Sequence, residues 1–198
     1  MKTSSSSKLK TALFVTTLLV PALAQAHPMH GPAHSFNSGF LHPWLGLDHV
    51  LAIVAVGLWA AQMRGRALWL VPASFVTLMA AGGILGMSGV SVPLVESAIL
   101  VSVLVLGLLI AAGVRLPVVP SMALVGLFAI FHGLAHGAEL PVAASGLTFG
   151  LGFVLATACL HGCGIGLGML AQQKLPAMAV RYAGAAIAVT GLGLLIVR

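Results

Sequence analysis

Histidine and carboxylate side chains are concentrated in three short stretches of an otherwise apolar chain. The stretches contain every acidic residue of the protein, and their members are His42, Asp48, His49, Glu96, His132, His136 and Glu139. Imidazole ligands suit divalent transition metals such as nickel, cobalt, copper and zinc, whereas sites built from carboxylates alone suit magnesium, calcium or manganese. The set therefore predicts a site for a borderline transition-metal ion.

The spacing of the first stretch limits how its members can share an ion. His42 and His49 are seven residues apart, which is two helical turns or about 10 Å. They can bind one ion together only if Pro43 or Gly46 breaks the helix. Asp48 is either a direct metal ligand or a hydrogen-bond acceptor that orients an imidazole.

The third stretch places two histidines on one helix face. His132 and His136 are four residues apart, so their side chains are neighbours and can bind one ion together. The spacing matches that of zinc proteases, but Gly133 occupies the position where those enzymes need a glutamate base.

A structural role is the alternative to a metal site: Asp48 and Glu96 could pair with histidines and lock helices together.

Further candidate ligands lie outside these stretches. His161 stands between Cys159 and Cys163, and we expect it to form an inner relay site for the same ion. The two cysteines are either additional ligands or small core residues. His27 and His30 lie in a short segment before the first apolar span, where they could capture a metal at the outer surface; an ordinary polar leader is the alternative.

The composition identifies the elements that must position these residues. The 198 residues are 60% hydrophobic and 6% charged, with a mean hydropathy of +1.12, whereas a soluble domain carries about 25% charged residues. The chain is therefore an integral membrane protein. The sequence pI of about 10.2 suggests nucleic acid, but three of its lysines lie in a segment that we expect to be removed, so no nucleic-acid partner is predicted.

Residues 1–26 have the pattern of a secretory signal peptide. Lys2, Lys8 and Lys10 precede a short apolar stretch over residues 11–22, and Ala24-Gln25-Ala26 forms a cleavage site. The apolar stretch is short for a membrane span, although an uncleaved first helix is the alternative. Cleavage would leave residues 27–39 as an extracytoplasmic leader containing histidine and methionine.

Residues 40–198 are predicted to form one all-α, polytopic domain of six transmembrane helices. At about 20 residues per crossing, the spans are 40–61, 67–87, 93–112, 119–137, 141–170 and 178–197. Small residues recur at helix-packing spacing, as in Gly82 with Gly86, Gly146 with Gly150, and Gly164 with Gly168. The fifth span is long and contains alternating glycines over residues 162–168, so we expect it to be tilted or locally unwound.

The basic residues predict the orientation of these spans. Arg64, Arg66, Arg115, Lys174 and Arg181 all fall in alternate loops, which therefore lie on one side of the membrane. The positive-inside rule makes that side the cytoplasm. The mature N-terminus and the three polar stretches are then predicted to lie toward the outer face.

Three motifs resemble the HupE/UreJ family of nickel and cobalt permeases. They are His42-Pro43-x-x-Gly46-x-Asp48-His49 in the first span, Phe131-His132-Gly133-x-Ala135-His136-Gly137-x-Glu139 in the fourth, and His161 with Gly164 in the fifth. The resemblance implies metal uptake across a bacterial inner membrane to supply hydrogenase or urease maturation. It assigns a metal-pathway role to His42, Asp48, His49, His132, His136 and Glu139. Glu96 occupies a position where the family has an acidic residue, whereas Cys159 and Cys163 depart from the usual pattern.

Residues and resemblance together predict a transporter that moves Ni²⁺ or Co²⁺ inward. The chain has no phosphate-binding G-x-x-x-x-G-K-[ST] motif, so we expect no ATP hydrolysis of its own, no other enzymatic activity and no resident cofactor. Two alternatives remain, namely a membrane chaperone or sensor that passes the ion to a maturation partner, and an assembly factor whose polar residues fix helix packing. The expected partners are the metal ion, the bilayer and hydrogenase or urease maturation proteins.

Overall fold

The computed structural model describes residues 36–139, 146–176 and 178–197, which form seven α-helices and no strand. The helices are α1 (Phe36–Leu45), α2 (Leu47–Met63), α3 (Ala67–Met87), α4 (Val95–Ala112), α5 (Val118–Glu139), α6 (Gly146–Lys174) and α7 (Met178–Val197). The prediction of an all-α fold is confirmed. The predicted signal peptide over 1–26 and the histidines of the leader, His27 and His30, lie outside the described residues.

Five of the helices, α3 to α7, are each long and apolar enough to cross a bilayer, so the chain is a multi-pass membrane protein. The first predicted span is different. Instead of one helix over residues 40–61, α1 and α2 meet at a bend of 87°. The prediction of a continuous first span is therefore wrong, and the described residues provide a sixth crossing only if the bent pair forms one span.

The sequence around the bend explains why the helix stops. Pro43 has no backbone N–H and cannot bond to the carbonyl four residues earlier. Gly46 then adopts an extended conformation with φ −101° and ψ 119°, which ends α1 at Leu45. A new helix starts at Leu47 with Asp48 in its first turn, where a carboxylate interacts favourably with the helix dipole.

The remaining helices approach closely where one of them presents glycine. A Cβ on Gly82 of α3 would lie 2.5 Å from the carbonyl oxygen of Ile130 in α5, and one on Gly86 would lie 2.6 Å from that of Leu134. Gly164 of α6 meets the carbonyl oxygen of Val54 in α2 in the same way. These contacts confirm the predicted role of small residues in helix packing.

The glycine prediction fails at two points on α6. Nothing lies within 4 Å of a Cβ built on Gly150, which therefore packs against no helix in the described structure. The glycine-rich run 162–168 is not unwound either, because α6 is helical throughout. Gly164 and Gly168 are buried against α2, and this packing outweighs the weak helix propensity of glycine. A tilt of α6 stays a prediction.

The basic residues meet at one end of the bundle. Arg64, after α2, donates from Nε to Oε1 of Gln172 near the end of α6 at 3.0 Å. Arg181, in the first turn of α7, donates from Nε to the carbonyl oxygen of Ala111 at the end of α4, at 2.7 Å. The loops that carry the positive charge therefore share a side of the bundle, as the sequence predicts.

Candidate metal centre

The histidines of the first and third stretches form a chain of adjacent rings at the opposite end of the bundle. His136, in the last turn of α5, is the central member. Its ring centroid lies 4.7 Å from that of His42 in α1 and 4.5 Å from that of His49 in α2. The His49 ring is also 5.6 Å from His132, one turn earlier in α5. We call His42, Asp48, His49, His132 and His136 the outer cluster.

The break at Gly46 is what brings His42 and His49 to the same partner. In a straight helix two side chains seven residues apart would lie about 10 Å apart. The 87° bend instead lets one ring approach His136 from α1 and the other from α2. A shared site required a helix break between His42 and His49, and the structure contains that break.

Asp48 orients the neighbouring imidazole. Its Oδ1 lies 2.7 Å from Nδ1 of His49 and accepts the backbone N–H of the same residue at 2.9 Å. A carboxylate accepts hydrogen bonds, so Nδ1 carries the proton and Nε2 is the nitrogen with a free lone pair. That Nε2 atom is buried and has no hydrogen-bond partner among the described residues. Carboxylate–imidazole pairs of this kind orient histidine ligands in metal sites.

His132 is held in the same tautomer by the backbone. Its Nδ1 lies 2.9 Å from the carbonyl oxygen of Phe128, which can only accept, so Nδ1 donates. The side chain is 1% exposed, and its Nε2 has no partner within the described part of the chain. A buried nitrogen without a partner is costly, and a metal ion would supply the missing interaction.

The outer cluster opens into a cleft of about 480 Å³ between α2, α4, α5 and α7. Asp48, His49 and His136 line it together with Glu96, an exposed residue in the first turn of α4. The other lining side chains are mostly aliphatic. All three polar stretches of the sequence thus contribute to one site.

Aromatic rings form the apolar wall of this site. Phe153 of α6 lies 4.7 Å from the His136 ring and 5.9 Å from His42, and Phe149 lies 5.7 Å from His42, all measured between centroids. Neither phenylalanine is identified by the sequence patterns above, although their spacing of four residues marks one helix face. Because these rings offer no lone pair, a cation at this site can bind only to the imidazoles and to the carboxylates that line the cleft.

His161 lies deeper than the outer cluster. It follows Phe153 by eight residues along α6, about 12 Å at the rise of an α-helix. The side chain is 2% exposed, and neither ring nitrogen has a hydrogen-bond partner in the described structure. Its ring packs against Phe75 of α3 with the centroids 5.1 Å apart.

The two cysteines do not join the cluster. Cys159 and Cys163 are free thiols on the exposed face of α6, so the alternative that they are small core residues is wrong, and they lie apart from the buried imidazole of His161. Glu139 is the last residue of α5, and its side chain lies outside the described residues. In the described ranges, no three histidine, cysteine or acidic side chains are arranged to hold one metal ion.

Comparison with known proteins places the chain in a family. The family model described as HupE / UreJ protein matches residues 15–194. The chain belongs to the HupE/UreJ family. Over 191 residues it is 44% identical to Protein HupE from Rhizobium leguminosarum bv. viciae, a match that covers 96% of this chain and 98% of that protein. No solved structure matches the chain.

Two further buried residues of this HupE/UreJ chain, Phe75 and Gln62, are not among the candidates that the sequence patterns identify. Phe75 is a single apolar residue in an apolar helix, so nothing in the pattern marks it. Gln62, at the end of α2, is 8% exposed; its Nε2 donates to the carbonyl oxygen of Ile110 at 3.2 Å, while its Oε1 has no partner among the described residues. A glutamine in an apolar span is a visible signal, because polar side chains are costly there.

Proposed function

We propose that this protein imports Ni²⁺ or Co²⁺ across the bacterial inner membrane without hydrolysing ATP, and that the ion supplies hydrogenase or urease maturation. The observation that carries the proposal is the row of imidazoles that starts at an open cleft and continues inward. His49 and His136 line the cleft, and His42 contacts His136 from α1. His132 is one turn deeper along α5, and His161 is deeper still. A row of ligands at increasing depth is what ion passage requires.

The metal is a cargo in this proposal and not a resident cofactor. A transported ion must be bound well enough to enter and weakly enough to leave. Within the described residues no three side chains of the ligand types are arranged to enclose one ion, and neighbouring imidazoles instead lie 4.5 to 5.6 Å apart between centroids. This arrangement favours exchange between pairs of ligands over permanent capture.

Each polar residue then has a distinct task. Glu96, exposed at the cleft, attracts the cation by its charge. Asp48 holds His49 so that Nε2 is available to the ion, and it partly neutralises the positive charge that arrives. His132 and His161 provide lone pairs along the inward route. Glu139 completes the acidic set of the family motif, and His27 and His30 capture the ion before it reaches the cleft.

The direction of transport follows from the proposed topology. The end of the bundle that carries Arg64 and Arg181 faces the cytoplasm by the positive-inside rule, and the outer cluster faces the opposite side, as does the N-terminus after signal cleavage. Membership of the HupE/UreJ family supports nickel as the transported ion. It also supports the assignment of this protein as a membrane accessory protein and not an enzyme.

The depth of His161 favours transport over a chaperone or sensor. A chaperone releases its ion on the side where it binds, so it needs only the outer cluster. His161 is a further buried imidazole about 12 Å beyond Phe153 along α6, and both of its nitrogens are unpartnered in the described structure. Such a residue has a use only if the ion moves inward.

Uptake of radioactive nickel in cells lacking other nickel transporters tests the proposal. The cells express either the wild-type protein or His136→Ala, and uptake is divided by the amount of protein in the membrane. We expect accumulation above empty cells for the wild type and its loss in the variant, because His136 joins the rings of α1 and α2. Equal accumulation in wild-type and empty cells would refute transport.

A further inference from the structure

Phe75 is the residue that separates the outer cluster from His161. Its side chain on α3 is 0% exposed and contacts imidazoles of two other helices. The ring lies 5.4 Å from His132 at an interplanar angle of 62°, and 5.1 Å from His161 at 85°. Within the described residues the two imidazoles have no ring contact with each other, so Phe75 is the group that both of them share.

The surroundings of the ring are polar on both sides. Nε2 of His132 and both ring nitrogens of His161 are buried without hydrogen-bond partners in the described part of the chain. The phenyl ring between them offers no lone pair. An ion that leaves one imidazole for the other must therefore pass a hydrocarbon group, and the loss of ligands beside an apolar surface is unfavourable for a cation.

We propose that Phe75 is an apolar gate that limits the passage of a divalent metal ion from the outer cluster to His161. This inference rests on the proposed transport function and adds a rate-determining residue to it. With the ring in place, a buried hydrocarbon side chain occupies the route between the two imidazoles. Passage requires the ring to move aside, so the size of the side chain at position 75 controls the rate.

Removing the phenyl ring distinguishes a gate from a structural core residue, because the two roles predict opposite changes in the rate of transport. Phe75→Ala leaves a space bordered by three nitrogens that lack partners, and such a polar space can hold water, unlike an apolar cavity. Water would bridge the outer cluster and His161 and lower the barrier. We therefore expect faster transport, whereas a purely structural phenylalanine would give slower transport or loss of the protein.

The experiment uses the purified full-length protein in liposomes that enclose a nickel-sensitive dye. The initial rate of nickel entry per folded molecule should rise by about threefold or more in Phe75→Ala, and Phe75→Leu should lie between this variant and the wild type. Nickel affinity in detergent should change by less than about twofold, because the outer cluster is intact. Leu106→Ala is the matched control, since Leu106 is 0% exposed and lies in α4, a helix that contains no histidine.

The outcomes separate this inference from the function on which it rests. A rate in Phe75→Ala equal to or below that of the wild type overturns the gate while transport stands. A rise in Leu106→Ala of the same size also overturns it, because any cavity would then accelerate entry. Wild-type liposomes that take up no more nickel than empty ones refute transport and the gate together. If Phe75→Ala does not fold, Phe75→Leu decides, and a rate no higher than that of the wild type contradicts the gate.

Discussion

The imidazole rings of His42 and His136 meet edge to face with their centroids 4.7 Å apart, although His42 lies before the break between α1 and α2 and His136 lies in the last turn of α5. This contact depends on the bend, since a continuous first helix would carry His42 two turns away from His49. The bent pair is therefore part of the candidate site, and the residues that produce the bend position its histidines.

Gly46→Ala should impair metal binding although no ligand is changed. A Cβ at this position would lie 2.6 Å from Nδ1 of His49 and 2.9 Å from Oδ1 of Asp48, so the hydrogen bond between them must distort. Loss of the partner that orients a histidine ligand typically costs about 10–100-fold in metal affinity. Titration calorimetry with nickel on the purified variant measures this loss.

Gly162→Ala is the matched control for that substitution. Gly162 is an exposed glycine inside α6, and nothing lies within 4 Å of a Cβ built there. The variant should bind nickel like the wild type and be slightly more stable, by up to about 1 kcal/mol, because alanine has the higher helix propensity. Equal nickel affinity in both glycine variants would show that the Asp48–His49 geometry is unimportant for binding.

Much of the site could be predicted from local patterns. The pairing of His132 with His136 follows from their spacing of four residues, and topology alone predicts that Glu96 lies toward the same outer face as Asp48. Charges in alternate loops likewise predicted that Arg64 and Arg181 share one end of the bundle. Each of these inferences uses helix geometry or loop order, which the sequence specifies directly.

The tertiary contacts of the site could not be predicted in that way. The sequence allowed a break at Gly46, but it specified neither the 87° angle nor the close contact of α1 with α6, in which a Cβ on Gly39 would collide with the backbone of Phe149. The glycines of α6 indicated unwinding, yet the packing of Gly164 against α2 keeps that helix intact. Phe75 resembles every other apolar residue of its helix, and only the assembled bundle places it between two imidazoles.

Acidification should weaken nickel binding to the outer cluster. A proton and a metal ion compete for the same imidazole lone pair, so neutral imidazoles bind and protonated ones do not. Imidazole in water titrates near pH 6.5, and we expect the affinity to fall by about tenfold or more between roughly pH 7.5 and 5.5. Equilibrium binding of nickel in detergent measures the effect without interference from any proton gradient. An affinity independent of pH would exclude His42, His49 and His136 as ligands.

The proposed topology predicts which loops are accessible from outside. On a background with Cys159→Ala and Cys163→Ala, a membrane-impermeant maleimide added to intact spheroplasts should label Ser91→Cys and leave Arg66→Cys unlabelled. Both positions are exposed, and they lie in the loops at opposite ends of α3. Efficient labelling at position 66 would reverse the orientation and with it the direction of transport.

The signal-peptide prediction has its own test. Cleavage after Ala26 should give a purified protein whose N-terminal residue is His27, as read by intact mass or Edman sequencing. An intact chain starting at Met1 would show that the first apolar stretch is a retained helix, and would remove the argument that places the N-terminus outside.

Nickel entry into liposomes containing purified Asp48→Asn decides whether the outer cluster is part of a transport pathway. The substitution keeps the shape of the side chain and removes the charge that holds Nδ1 of His49 at 2.7 Å. We expect ATP-independent nickel entry by the wild type, a reduction of about 10–100-fold in the variant, and a melting temperature within about 4 °C of the wild type. Loss of folded protein with unchanged entry per folded molecule would show instead that Asp48 is a structural lock and not part of a metal pathway.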